Sequence, residues 1–159
     1  MFVDYLTLML VDVAAGFFLL ACFTALSLDN REEPKWAAPF FVVGGIAVLS
    51  GLHMIFTWPL PGAYNIAYGE SSVLFGALFV GAALCLAKGW GFEPLAVFGL
   101  FAGLVAVLVG GQILAGGLTP KQPHVAGTLF ILSGIAGVLA LPLCLLKKVK
   151  FLRYAAALL

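Results

Sequence analysis

Charge is scarce in this sequence. Asp, Glu, Lys and Arg make up 9% of the 159 residues, against about a quarter in a soluble domain, so no water-facing surface can be built and a soluble fold is excluded. Eight basic residues against seven acidic ones leave a net charge of +1. That balance provides no basic patch for a phosphate backbone and excludes nucleic acid as a partner. Cysteine is equally sparse. Cys22, Cys85 and Cys144 are odd in number and lack CxxC spacing, which argues for small apolar side chains over a disulfide framework or zinc ribbon. A cleavable leader is also missing: Met1 to Leu10 carries Asp4 where a basic segment would stand, and the apolar run is too long, so the first span is expected to remain.

Apolar residues are abundant. They form 64% of the chain, with a mean hydropathy of +1.16, and fall into five runs near 5–26, 37–56, 72–87, 95–118 and 125–146. About 20 such residues cross a ~30 Å hydrocarbon layer. The runs lack the apolar and polar alternation of an outer-membrane barrel, and unpaired backbone cannot face lipid, so each is predicted to be a helix. The expected fold is all-α: a single-domain polytopic membrane protein over 1–159, a bundle of five transmembrane helices whose main partner is the lipid bilayer. Polar or Pro- and Gly-bearing connectors occupy 27–36, 57–71, 88–94 and 119–124. A cytoplasmic C-terminus places Arg31, Lys35, Lys88, Lys147, Lys148, Lys150 and Arg153 inside and only Lys121 outside. The positive-inside rule therefore predicts an outside N-terminus.

Small residues supply the packing surface, because apolar side chains gain little by leaving lipid for one another. Gly99, Gly103, Ala106 and Gly110 line one face of the fourth run, and Ser72 with Gly76, Ala77 with Gly81, and Gly44 with Gly51 do similar work. Packing within the bundle is the expected use; a homo-oligomer face is the alternative.

The few polar side chains in the runs gather at one depth. In the predicted orientation Asp12 lies about 10 Å below the outer end of the first span, and His53 and Gln112 lie roughly 6–9 Å below theirs. Glu70 and His124 begin the third and fifth spans. A carboxylate facing lipid costs about 2.5–3.5 kcal/mol on insertion scales, so Asp12 is expected to turn inward and find a partner, with His53 as candidate. An outward-facing polar pocket of Asp12, His53, Asn65, Tyr68, Glu70 and Gln112 solvates them all. His53 and His124, with Asp12 and Glu70, are the donor types that would hold copper, iron or zinc, and two histidines could clamp a haem. Each residue also has a plainer reading: Asp12 hydrogen-bonded near the interface, His53 a core histidine, Gln112 a bond between helices. Glu70 would then favour a helix dipole, and His124 would only begin a helix. In the connector, Trp58-Pro-Leu-Pro61 ends the second helix, Tyr64 and Tyr68 suit the headgroup layer, and Asn65 and Gly69 tolerate turns.

The run Trp58-Pro-Leu-Pro-Gly-Ala-Tyr-Asn-Ile-Ala-Tyr-Gly-Glu70, with the opening Asp4-Tyr-Leu-Thr-Leu-Met9, resembles an uncharacterised prokaryotic family of small integral membrane proteins, a domain of unknown function. The resemblance implies a bacterial or archaeal plasma membrane and carries no activity. Three functions fit the residues. The first is a binding or accessory subunit of a larger membrane complex, its outer pocket holding a metal, haem or small organic ligand. The second is a proton-coupled or small-solute transporter, disfavoured here by apolar inner halves and the lack of an inverted repeat. The third is an enzyme acting on lipid or quinone at the outer face, for which no nucleophile or metal motif is present. Epitope tags at the two ends of intact cells should be accessible only at the N-terminus; tags accessible together would remove the five-span orientation.

Overall fold

The computed structural model describes residues 5–26, 33–60, 63–116 and 123–145. The basic residues Arg31, Lys121, Lys147, Lys148, Lys150 and Arg153, and the opening through Asp4, lie outside the described residues. Five helices run in order: α1 (Tyr5–Leu26), α2 (Ala37–Thr57), α3 (Ser71–Lys88), α4 (Glu93–Gly116) and α5 (Pro123–Leu145). All five are long and apolar enough to cross a membrane. A 3-10 turn, Glu33–Trp36, leads into α2, and a π-helical turn, Asn65–Glu70, leads without a break into α3. The third span thus covers Asn65–Lys88, well beyond the short run expected for it.

That extension comes from packing. Ala67 and Gly69 are buried against the end of α2, where Gly69 sits close to Ile55 and Gly51, so helix continues through residues whose composition suits a turn. Trp58 ends α2 with φ 46° and ψ 53°, its N–H bonded to the Met54 carbonyl at 3.1 Å. The loop is then fastened by Asn65, which is fully buried: the Leu60 N–H donates to Asn65 Oδ1 at 3.0 Å, and Asn65 Nδ2 donates back to the Leu60 carbonyl. One side chain thereby satisfies both backbone groups of a residue that Pro59 and Pro61 keep out of a helix.

Glycine sets the helix pairing. A Cβ on Gly44 would lie 2.6 Å from the Val80 nitrogen and 2.8 Å from the Gly76 carbonyl oxygen, and one on Gly51 would lie 2.8 Å from the Gly69 carbonyl oxygen. These contacts are backbone against backbone, and they lock α2 to α3. The second hairpin repeats them. A Cβ on Gly103 would meet the Gly134 carbonyl oxygen at 2.5 Å and the Val138 nitrogen at 2.7 Å, and one on Gly110 would meet the Gly127 carbonyl oxygen at 2.8 Å. Gly44 and Gly51 correspond to Gly103 and Gly110, 59 residues later; Gly69, Gly76 and Val80 correspond to Gly127, Gly134 and Val138, 58 residues later. From α2 to α5 the chain is therefore a tandem repeat of one glycine-locked helical hairpin, both copies pointing the same way, a parallel repeat and not an inverted one.

Helix α1 lies on the first hairpin and buries Met9, Asp12, Gly16 and Phe23, one continuous stripe. Gly16 is held against Phe75, Phe79 and Val43. Toward the Trp36 end, Phe23, Phe40, Val43, Phe79, Ala83 and Leu86 form a closed core with Trp36 and Phe92 at its edge. Phe40 and Phe79 stack at 5.2 Å, and Phe75, packed against the cluster, tilts onto Phe79 at 4.4 Å. The two hairpins meet through side chains instead of backbone: Gly81 faces Leu95, and Gly99 faces Leu78 at 3.6 Å.

Two sets of substitutions test this packing. Gly44→Ala and Gly103→Ala each force a methyl into a neighbouring backbone and should lower stability in detergent by about 1–3 kcal/mol. Gly45→Ala and Gly111→Ala, with nothing within 4 Å of the added carbon, should be neutral or mildly stabilising by helix propensity; thermal unfolding compares the four. Asn65→Leu, which orphans both Leu60 groups, should cost about 1–3 kcal/mol in the same measurement.

Candidate functional site

The six residues expected to share a pocket divide by helix face. Asp12 is 6% exposed and Asn65 fully buried. Tyr68 is half-buried, its ring edge-on to Phe130 at 5.7 Å. His53, Glu70 and Gln112 are exposed. His53 continues the outward stripe of Val42, Ile46, Leu49 and Phe56, and Gln112 continues that of Phe101, Leu104 and Leu108. The two occupy equivalent positions of the hairpin repeat, 59 residues apart. Asp12 and His53 are therefore not partners across a shared cavity: one faces the bundle interior and the other its perimeter.

The metal reading is corrected on the same ground. His124, at the first turn of α5, is exposed, as are His53 and Glu70, while Asp12 is buried beneath α1. Among the described residues no group of three or more His, Cys, Asp or Glu side chains comes together. His53, His124, Asp12 and Glu70, the donors expected for copper, iron or zinc, thus form no cluster of three among the described residues. Cys85 is buried and Cys22 and Cys144 are half-buried, and none of the three is joined in a disulfide. Asn65 is committed to the loop, its amide oxygen and nitrogen both bonded to Leu60.

Among the described residues the buried polar side chains are Asp12, Ser50, Asn65 and Ser72. Asp12 lies one turn from Gly16, and Gly16 touches Phe75, so helix register sets Asp12 level with Ser72, one turn along α3. Ser72 Oγ donates to the Ala47 carbonyl of α2 at 3.0 Å. Ser50 Oγ donates to the Ile46 carbonyl at 2.7 Å and reaches the Ala47 carbonyl at 3.2 Å. The hydroxyl protons on this level are thus spent on backbone, and the oxygens that remain are acceptors.

A signal for this partition exists in the sequence. At about 100° per residue, Asp12 is only one turn from Gly16 and shares its face, whereas His53 and Gln112 each stand two residues, about 200°, from the packing glycines Gly51 and Gly110. Depth along the axis placed all of them together; angle around the axis separates them.

Comparison with known proteins agrees with this architecture. Across 97% of this chain and 91% of its own, the cryoEM structure of the Helicobacter pylori urea channel in the closed state superposes with a TM-score of 0.75 at 16% sequence identity, a likeness of fold. No curated protein matches the sequence. The family model described as "Protein of unknown function (DUF981)" matches residues 1–159, so the chain belongs to that family of small membrane proteins.

Proposed function

We propose that the protein is a passive channel or transporter for a small polar solute, taking the place of the binding-subunit reading. The observation that carries it is the fold likeness to a urea channel over nearly the whole of both chains, on a bundle whose buried interior holds one acidic side chain, Asp12, among the described residues. An apolar, backbone-rich interior argues against a proton relay, which needs titratable groups at successive depths. For a small uncharged solute the same interior is suitable, because brief passage past carbonyls and hydroxyls needs no countercharge.

In this reading the route runs beside α1 and the first hairpin, past Asp12, toward the aromatic core around Phe23, Phe40 and Phe79. Rings in contact close that end, which makes the conformation a shut one. The N-terminus lies outside and the C-terminus inside a prokaryotic plasma membrane, by the distribution of basic residues. The exposed stripes carrying His53 and Gln112 suit contact with a second copy, since polar groups on a lipid-facing helix favour a protein neighbour.

Stopped-flow light scattering on proteoliposomes tests the function. Vesicles containing the protein should re-equilibrate with urea, acetamide or glycerol several-fold faster than protein-free vesicles, for at least one of these solutes. Equal rates for all of them, with the protein shown to be folded and inserted, would remove the proposal. Phe79→Ala, which opens the aromatic core, should raise the rate of the conducted solute.

A further inference from the structure

We infer that Asp12 is the selectivity element of this route and that it selects uncharged solutes rich in N–H donors, the primary amides and ureas; this rests on the channel reading and goes beyond it by naming the solute class. Asp12 is the only buried acidic residue among the described ones, at 6% exposure, and no hydrogen bond or ion pair to a described residue holds it. Its stripe on α1 faces the first hairpin, between Met9 and Gly16. A carboxyl group in such a place ordinarily has a built-in donor, because burying it without one is costly. Here the side chains best placed to donate do not. Ser72 and Ser50 have given their protons to the Ile46 and Ala47 carbonyls.

What results is a cluster of acceptors without donors. Asp12 contributes two oxygens, and Ser50 and Ser72 present lone pairs on the same level. The complementary guest is rich in donors. A urea offers two parallel N–H groups, one on each nitrogen, the spacing a carboxylate accepts bidentately, and a primary amide offers the same oxygens one N–H at a time. A polyol lacks that match, because its hydroxyls point singly.

A cation would also satisfy Asp12, but the rest of the route does not serve one. No second buried acidic side chain follows it among the described residues, and the aromatic core lies next along the helix. A charged guest held by one carboxylate would have to leave it for an interior offering no replacement. An uncharged guest leaves at the cost of two hydrogen bonds.

Proteoliposome fluxes of urea, glycerol and guanidinium chloride, measured on the same preparations, decide the matter. The wild-type protein should pass urea about tenfold or more faster than glycerol, and guanidinium more slowly than urea. Asp12→Asn, nearly isosteric, replaces one acceptor by a donor and should lower urea flux about ten- to a hundredfold, with glycerol flux changed less than about twofold. Asp12→Glu, which keeps the carboxyl group, should retain the preference for urea at a reduced rate. A wild-type channel that passes glycerol as fast as urea, or guanidinium faster, overturns the inference while leaving the channel reading in place. So does an unchanged urea-to-glycerol ratio in Asp12→Asn. If Asp12→Asn does not fold, the wild-type solute ranking and the Asp12→Glu ratio still decide. Failure of every solute to pass the wild-type protein removes the channel reading itself.

Discussion

Direct contact between helix backbones at glycine is the constraint on which this structure depends. In hydrocarbon there is no hydrophobic gain in burying leucine against leucine, so helices associate through dispersion and polar contacts at close range. Gly44 against Gly76 and Val80, and Gly103 against Gly134 and Val138, bring two helix axes nearer than any side chain would permit. The large residues are turned outward in consequence. Phe41, Val42, Leu49 and Phe56 on α2, and Phe101 and Leu108 on α4, meet the surroundings of the bundle. A protein built this way is inverted relative to a soluble one, and an exposed leucine in it calls for no special account.

Repetition of that contact gives the molecule its plan. The first hairpin and its copy share the arrangement of four glycines and two β-branched residues, Val73 with Ile131 and Val48 with Val107, each packed on the glycine of the facing helix. The two hairpins are joined through side-chain contacts, Leu95 on Gly81 and Leu78 near Gly99. Against this apolar frame Asp12 stands out energetically, the one buried carboxyl group among the described residues.

The span count and the helical class were legible in composition alone, since a run of about 20 apolar residues has few other destinies. Three features were not. Asn65 to Glu70 reads as a turn because Asn, Tyr and Gly suit one, and only contact with Gly51 and Ile55 makes it a helix. The hairpin repeat is hidden because its copies agree at glycines and at few other positions, so a search for similar side chains passes over it. The polar residues were sorted by depth, which hydropathy reveals, and not by azimuth, which it does not; His53 and Gln112 therefore joined Asp12 in a pocket that the fold divides. The count from each residue to the nearest packing glycine would have separated them, as it places Asp12 beside Gly16 and turns His53 away from Gly51.

The most direct test of this account is an experimental map of the protein in a lipid nanodisc, read at the two glycine crossings. Both hairpins should show interaxial distances at or below the ~8 Å lower end for packed helices, with the Asp12 side chain turned toward the first hairpin and His53 toward lipid or a neighbouring copy. A map in which either crossing is filled by side chains at ordinary helix spacing, or in which Asp12 points outward, would contradict it.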